Sequence, residues 1–164
     1  MTDTLTCEEM ASLVEQYGDE MLRVAFLYLG QKEQAEDAVQ DSFIKIYRAA
    51  DKKCICKTFV MRVLTNTCKD YLKSGWTRNV NLLEDLPEGA FCDDTYEESG
   101  ALREAVLSLP IKYREVILLR YYEALTVGEI AKVLGIPQPT VSIRLKRAYT
   151  YLEKRLEGVS REHY

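Results

Sequence analysis

Thr126-Val127-Gly128-Glu129-Ile130-Ala131-Lys132-Val133-Leu134-Gly135-Ile136-Pro137-Gln138-Pro139-Thr140-Val141-Ser142-Ile143-Arg144-Leu145-Lys146-Arg147 reads as a helix, a tight turn and a second helix. Ala131 is small where two crossing helices need it. Gly135 supplies the turn, where a positive φ is easy for a residue without a Cβ. Ile130, Leu134, Ile136, Val141 and Leu145 fill the wedge between the helices. Thr126 and Glu129 have the spacing of a capping box. Pro139 falls in the first turn of the second helix, where its missing N–H costs little.

The second helix continues well past the motif, with Val141, Leu145, Ala148, Leu152 and Leu156 on one side. Ser142, Ile143, Lys146 and Arg147 project from its first two turns. Side chains in that position read base edges when a helix enters a major groove. Arg144, Lys154 and Arg155 are better placed for phosphates, which add affinity without sequence information. A core helical hairpin with a basic exterior is the weaker reading of so complete a pattern.

Upstream of this motif the apolar spacing is also helical. Met10, Leu13, Val14, Tyr17, Met21, Val24, Ala25 and Tyr28 predict one helix closed by Gly30. Ala35, Ala38, Val39, Phe43, Ile46 and Tyr47 predict a second from 32 to 50, with an acidic first half that suits the helix dipole. Phe59, Val63, Thr67 and Tyr71, widened by Val60, Leu64 and Leu72, predict a third from 57 to 74, stopped at Gly75. Its other face offers Arg62, Asn66, Lys69 and Lys73. Two further helices are expected over 101–109 and 111–122. No strand pattern of useful length appears, so the fold class is all-α, in two small bundles.

The chain has 164 residues and a net charge of −4. That sum conceals segregation. Residues 1–50 carry −6, 51–80 carry +5, 81–104 carry −7 and 105–164 carry +4. Two basic blocks divided by acidic stretches predict two polyanion-facing surfaces. Pro87, Gly89 and the run Asp93-Asp94-Thr95-Tyr96-Glu97-Glu98 predict a linker. The expected division is a domain over 1–78, a linker over 79–100 and a helix-turn-helix domain over 101–164.

Chemistry of other kinds finds little support. The one histidine, His163, removes most His-based catalysis and most mixed Cys/His zinc sites. No phosphate-cradling Gly loop, HExxH or Ser/His/Asp set is present, so no enzyme and no cofactor is expected. Cysteines 7, 54, 56, 68 and 92 are odd in number and irregular in spacing. Cys54, Cys56 and Cys68 lack a sensibly spaced fourth metal ligand, so free thiols are the better reading. The start through Tyr17 carries acids and no base, which predicts no secretory leader and a cytoplasmic protein. No apolar run approaches a membrane span, so no membrane insertion is expected.

Taken in order, these motifs resemble the bacterial sigma factors of the extracytoplasmic-function class, over nearly the whole chain. Ala35-Glu36-Asp37-Ala38-Val39-Gln40-Asp41-Ser42-Phe43-Ile44-Lys45-Ile46-Tyr47 resembles the family's core-polymerase-binding stretch. The 57–74 helix resembles its promoter-melting and minus-ten-reading helix. Leu109-Pro110, Tyr113-Arg114-Glu115-Val116 and Tyr121-Tyr122-Glu123 precede the helix-turn-helix as in its minus-thirty-five-reading domain.

The resemblance implies that Asp37, Gln40, Asp41 and Phe43 contact core RNA polymerase, at its beta and beta-prime subunits. It implies that Arg62, Asn66, Lys69, Lys73 and Trp76 meet the opened minus-ten strand. Thr140, Ser142, Ile143, Arg144, Lys146 and Arg147 would meet minus-thirty-five DNA. It further implies a cognate anti-sigma factor. Two departures stand out: the 51–56 loop is short and cysteine-bearing, and Phe59 replaces the family's common Trp. A free-standing helix-turn-helix regulator is the alternative. It would act without polymerase and would dimerise to match two half-sites.

Overall fold

The computed structural model describes residues 5–49, 55–76 and 100–162, with side chains at 75–76 and 157–162 left aside. Helix α1 spans Cys7–Leu29, α2 Lys32–Ala49 and α3 Lys57–Trp76. Then come α4 at Gly100–Ser108, α5 at Ile111–Ile117, α6 at Val127–Leu134 and α7 at Gln138–Glu162. No strand occurs among the described residues. The expected 79–100 linker lies outside them except for Gly100, which begins α4, and so do the Trp76 side chain, Cys54, Cys92 and His163.

Local chemistry sets the helix ends. Thr6 and Glu9 form a reciprocal capping box at the start of α1, and Thr126 with Glu129 forms another at α6. Such a cap is worth about 1 kcal/mol. Gly30 closes α1 at φ 79° and Gly135 closes α6 at φ 67°, both left-handed. The Gly135 N–H reaches back to the Ala131 carbonyl at 2.8 Å. The α3 helix runs two residues beyond the expected stop, through Gly75 to Trp76.

The helix expected over 111–122 is α-helical only to Ile117. Leu118–Tyr122 forms a wider π-turn, with Glu123 N–H bonded to the Leu118 carbonyl. The wider turn keeps Leu118 and Leu119 fully buried while Tyr121 is left 66% exposed. Ala124 then takes a left-handed φ of 53°, and Arg120 Nη1 donates to the Leu125 carbonyl at 2.9 Å across the bend. Periodicity alone does not announce such an insertion.

Helices α1, α2 and α3 pack together, and α4 to α7 pack together, as the apolar spacing requires. The two groups also pack on each other. Helix α3 lies against α6, and α1 against α4, α5 and the π-turn. The buried apolar side chains from Leu5 to Leu152, Leu107 aside, form one contiguous core. This explains two differences from the sequence pattern. The last six residues of α1, from Val24 to Leu29, are buried all round, including Phe26, Leu27 and Leu29. On α3 the deepest positions are Val60, Met61, Leu64 and Cys68, while Phe59, Val63, Tyr71 and Leu72 are only half-buried. A helix covered on two sides hides more than one stripe.

Candidate nucleic-acid and polymerase interfaces

The α7 helix buries Val141, Leu145, Ala148 and Leu152 and half-buries Leu156, the stripe read from its sequence. The opposite face carries Ser142, Ile143, Lys146 and Arg147, all exposed, with Ile143 at 52%. Thr140 is half-buried. The face continues through Thr150, Tyr151, Lys154 and Arg155, also exposed. The result is a basic, hydroxyl-bearing and partly apolar helix surface. It can donate to base acceptors, touch a thymine methyl and neutralise phosphates.

Of the α3 cations, Arg62 and Lys73 are exposed, as is Asn66. Lys69 is not free. Its Nζ stands 3.2 Å from Glu115 Oε2, on the other group of helices. Arg144 of α7 approaches the same carboxylate, with Nη1 3.7 Å from Oε1. Glu115 is 4% exposed and also accepts from the Tyr28 hydroxyl at 2.6 Å. Beside it, Arg114 donates to the Tyr28 carbonyl at 2.6 Å, to the Leu109 carbonyl at 3.1 Å and to the Leu107 carbonyl. Those carbonyls lie at the ends of α1 and α4, where helices run out of internal donors. Burial lowers the Arg114 guanidinium to about 10, which leaves it charged at neutral pH.

The acidic face of α2 is arranged differently from the sequence expectation. Asp37 and Gln40 are exposed, but Asp41 is half-buried and accepts from the Tyr71 hydroxyl at 2.5 Å. That bond ties α2 to α3, and burial with the nearby carboxylate raises the Tyr71 phenol above its ordinary value. Phe43 is half-buried against the core. Ile44 and Tyr47 are instead exposed, at 48% and 47%. With Asp37 and Gln40 they fall at helical spacing on one face. Sequence reading missed Ile44. It also counted Tyr47 in the buried stripe, although both sit one step away from that stripe.

Among the described cysteines, Cys7 and Cys56 are exposed and free, and Cys68 is buried and free. Burial pushes the Cys68 thiol up to about 12, with Lys45 opposing, so it is an unreactive packing group. No cluster of three or more His, Cys, Asp or Glu side chains suited to a metal occurs among the described residues. No described helix is long and apolar enough to cross a membrane.

A second buried acid, Glu123, lies 2% exposed between the two helix groups, with Lys57 Nζ 3.4 Å from Oε2. Burial first, and then the negative charge of Glu20 on α1, push its carboxyl from 4.5 to about 7, and Lys57 opposes them. A raised acid binds its proton more tightly in the packed state, so packing takes up a proton between 4.5 and about 7. Its stabilising effect is full at the acid end and is lost as pH rises through that window. The melting temperature of Glu123→Gln should therefore depend less on pH across the window than that of the parent. An unchanged pH dependence would remove Glu123 as its source.

Comparison with known proteins assigns a family to each half of the chain. The sigma-70 region 2 family model matches residues 13–78, and the sigma-70 region 4 model matches residues 99–152. Both halves of the chain therefore have the build of a transcription initiation factor. The ECF RNA polymerase sigma factor SigW of Bacillus subtilis (strain 168) is 31% identical, over 93% of this chain and 91% of its own length. RNA polymerase sigma factor SigV of the same organism is 27% identical, over 90% of each chain.

The chain belongs to the ECF RNA polymerase sigma factors, which bind core polymerase and direct promoter-specific initiation. Members are initiation factors, a non-enzymatic class. Two solved structures share the fold. CnrH in complex with the cytosolic domain of CnrY has a TM-score of 0.69 at 23% identity, covering 93% of this chain and 90% of that one. RpoE in complex with the anti-sigma factor NepR, from Bartonella quintana, has a TM-score of 0.73 at 18% identity, covering 92% and 98%. A regulator that works without polymerase is not favoured, because a region 2 domain accompanies the helix-turn-helix.

Proposed function

We propose that the two helix groups divide the promoter between them. The α7 surface reads minus-thirty-five DNA: Ser142, Ile143, Lys146 and Arg147 face bases, while Thr140 and Arg144 face the backbone. Helix α3 receives the opened minus-ten strand through Arg62, Asn66, Lys69 and Lys73, and Trp76 stacks on a base beyond them. Captured unpaired bases offset the unstacking of the duplex, a few kcal/mol per step, so binding alone drives melting. The observation that carries this reading is the exposure of the basic and polar N-terminal face of α7 directly after the left-handed Gly135 turn.

The acidic face of α2 docks core polymerase through Asp37 and Gln40, joined by the exposed apolar Ile44 and Tyr47. Phe43 and Asp41 support that face from beneath, and Asp41 also presents its edge. The protein acts in the bacterial cytoplasm and is held inactive by a cognate anti-sigma factor. The fold shared with RpoE, solved in complex with the anti-sigma factor NepR, supports this last point.

The test is reconstitution with core polymerase and mapping of transcription starts across a genome. A shared pair of upstream elements is the expected result. Starts without a shared upstream element would remove the α7 assignment. Asp41→Lys should lower core affinity, whereas Tyr71→Phe, which loses only the hydrogen bond, should leave it near the parent value. Intact core affinity in Asp41→Lys would move the docking face elsewhere.

A further inference from the structure

Glu115 gathers one cation from each DNA-facing helix. Lys69 of α3 and Arg144 of α7 meet the same carboxylate, at 3.2 and 3.7 Å. Minus-ten and minus-thirty-five elements, roughly 25 base pairs apart by their names, stand about 85 Å apart along a duplex. Two side chains on one carboxylate cannot serve both elements. The packed form of this chain is therefore not the promoter-bound form.

We propose that Glu115 is an intramolecular latch that keeps Lys69 and Arg144 from DNA until the two helix groups separate. The inference rests on the assignment of those two cations to DNA given above. The anchoring is specific. Arg114 and Glu115, adjacent on α5, grip the same residue of α1, one at the Tyr28 carbonyl and the other at its hydroxyl. Arg114 thus fixes the helix that carries the acid, and Glu115 supplies the charge that the two cations share. The carboxylate imitates a phosphate: a planar, delocalised anion that accepts from both Lys and Arg. Lys146 and Arg147, on the outward face of the same α7, are left exposed, so the latch covers the phosphate contact and not the base-reading face.

In these terms the free chain binds DNA with its intrinsic affinity reduced by the fraction that is unlatched. Glu115→Gln keeps the side-chain shape and removes the charge. The free variant should give a larger radius of gyration by small-angle scattering. It should also bind a short random-sequence duplex at low salt about tenfold more tightly than the parent. Glu104→Gln, which changes the same charge on the exposed face of α4, should do neither. Tyr28→Phe, which leaves all charges in place, should shift both readouts in the same direction by less. It serves as the test should Glu115→Gln fail to fold.

Expansion together with tighter DNA binding supports the latch. Unchanged size overturns it, whatever the affinity does, because a gain without opening is mere loss of repulsion. Expansion without any gain in affinity overturns the masking of DNA contacts and points to a failed assignment of Lys69 and Arg144. That failure is distinguishable, since Lys69→Ala and Arg144→Ala would then leave transcription by the reconstituted holoenzyme intact.

Discussion

Changing Lys146 and Arg147 together to alanine is expected to reduce holoenzyme transcription from a two-element promoter by roughly thirtyfold or more. Each side chain that bonds a base edge contributes about 1–3 kcal/mol of discrimination, and neighbouring losses are not strictly additive. Both residues are exposed on the outer face of α7, so their removal leaves the Val141, Leu145 and Ala148 packing in place. The loss should therefore appear with normal folding and normal core affinity. A second measurement separates base reading from charge. With the minus-thirty-five sequence scrambled, parent and variant should converge, because only sequence-independent attraction remains. Unchanged transcription from the intact promoter would take base recognition away from these two positions.

The other large effect concerns stability. Arg114→Ala should lower the unfolding free energy by about 3–5 kcal/mol, as measured by urea denaturation. The side chain is 3% exposed and donates to three carbonyls at the ends of α1 and α4. Without it those acceptors stay buried with no donor, a cost of about 1–3 kcal/mol apiece where water cannot enter. Arg114→Lys keeps the charge but offers a single ammonium in place of a fork, so partial recovery is expected. A loss below about 1 kcal/mol would mean that water replaces the guanidinium and that the residue does not hold the helix ends.

Local patterns in the sequence carried far into the structure where the physics was local. The capping pair Thr126 and Glu129, the turn at Gly135 and the inward stripe of α7 all depend on residues within a few positions of one another. They were legible for that reason. The fold class followed from the same spacing. What escaped was contact between residues far apart in the chain. Tyr28 and Glu115 are separated by 87 positions, and periodicity tells which side of a helix is covered but not by what. The all-round burial of Phe26, Leu27 and Leu29 belongs to the same blind spot.

The candidate surfaces divide in the same manner. Ser142, Ile143, Lys146 and Arg147 were readable because a helix end with a known inward stripe leaves little choice for the outward one. Lys69 and Arg144 have the same chemistry, yet their ion pairs with Glu115 involve another part of the chain. On α2, Asp41 looked like a surface acid, but Tyr71, 30 positions away, claims its oxygen. The π-turn at 118–122 left no signal, since its consequence is a shift in phase after the point where the apolar pattern stops.

The single continuous core has a consequence for competition among partners. A contact within one chain does not weaken on dilution, whereas any contact with polymerase or an inhibitor does. Every external partner that needs the helix groups apart must outcompete an opponent of fixed effective concentration. The share of open molecules then follows the free concentration of those partners, and dilution of the chain by itself opens nothing.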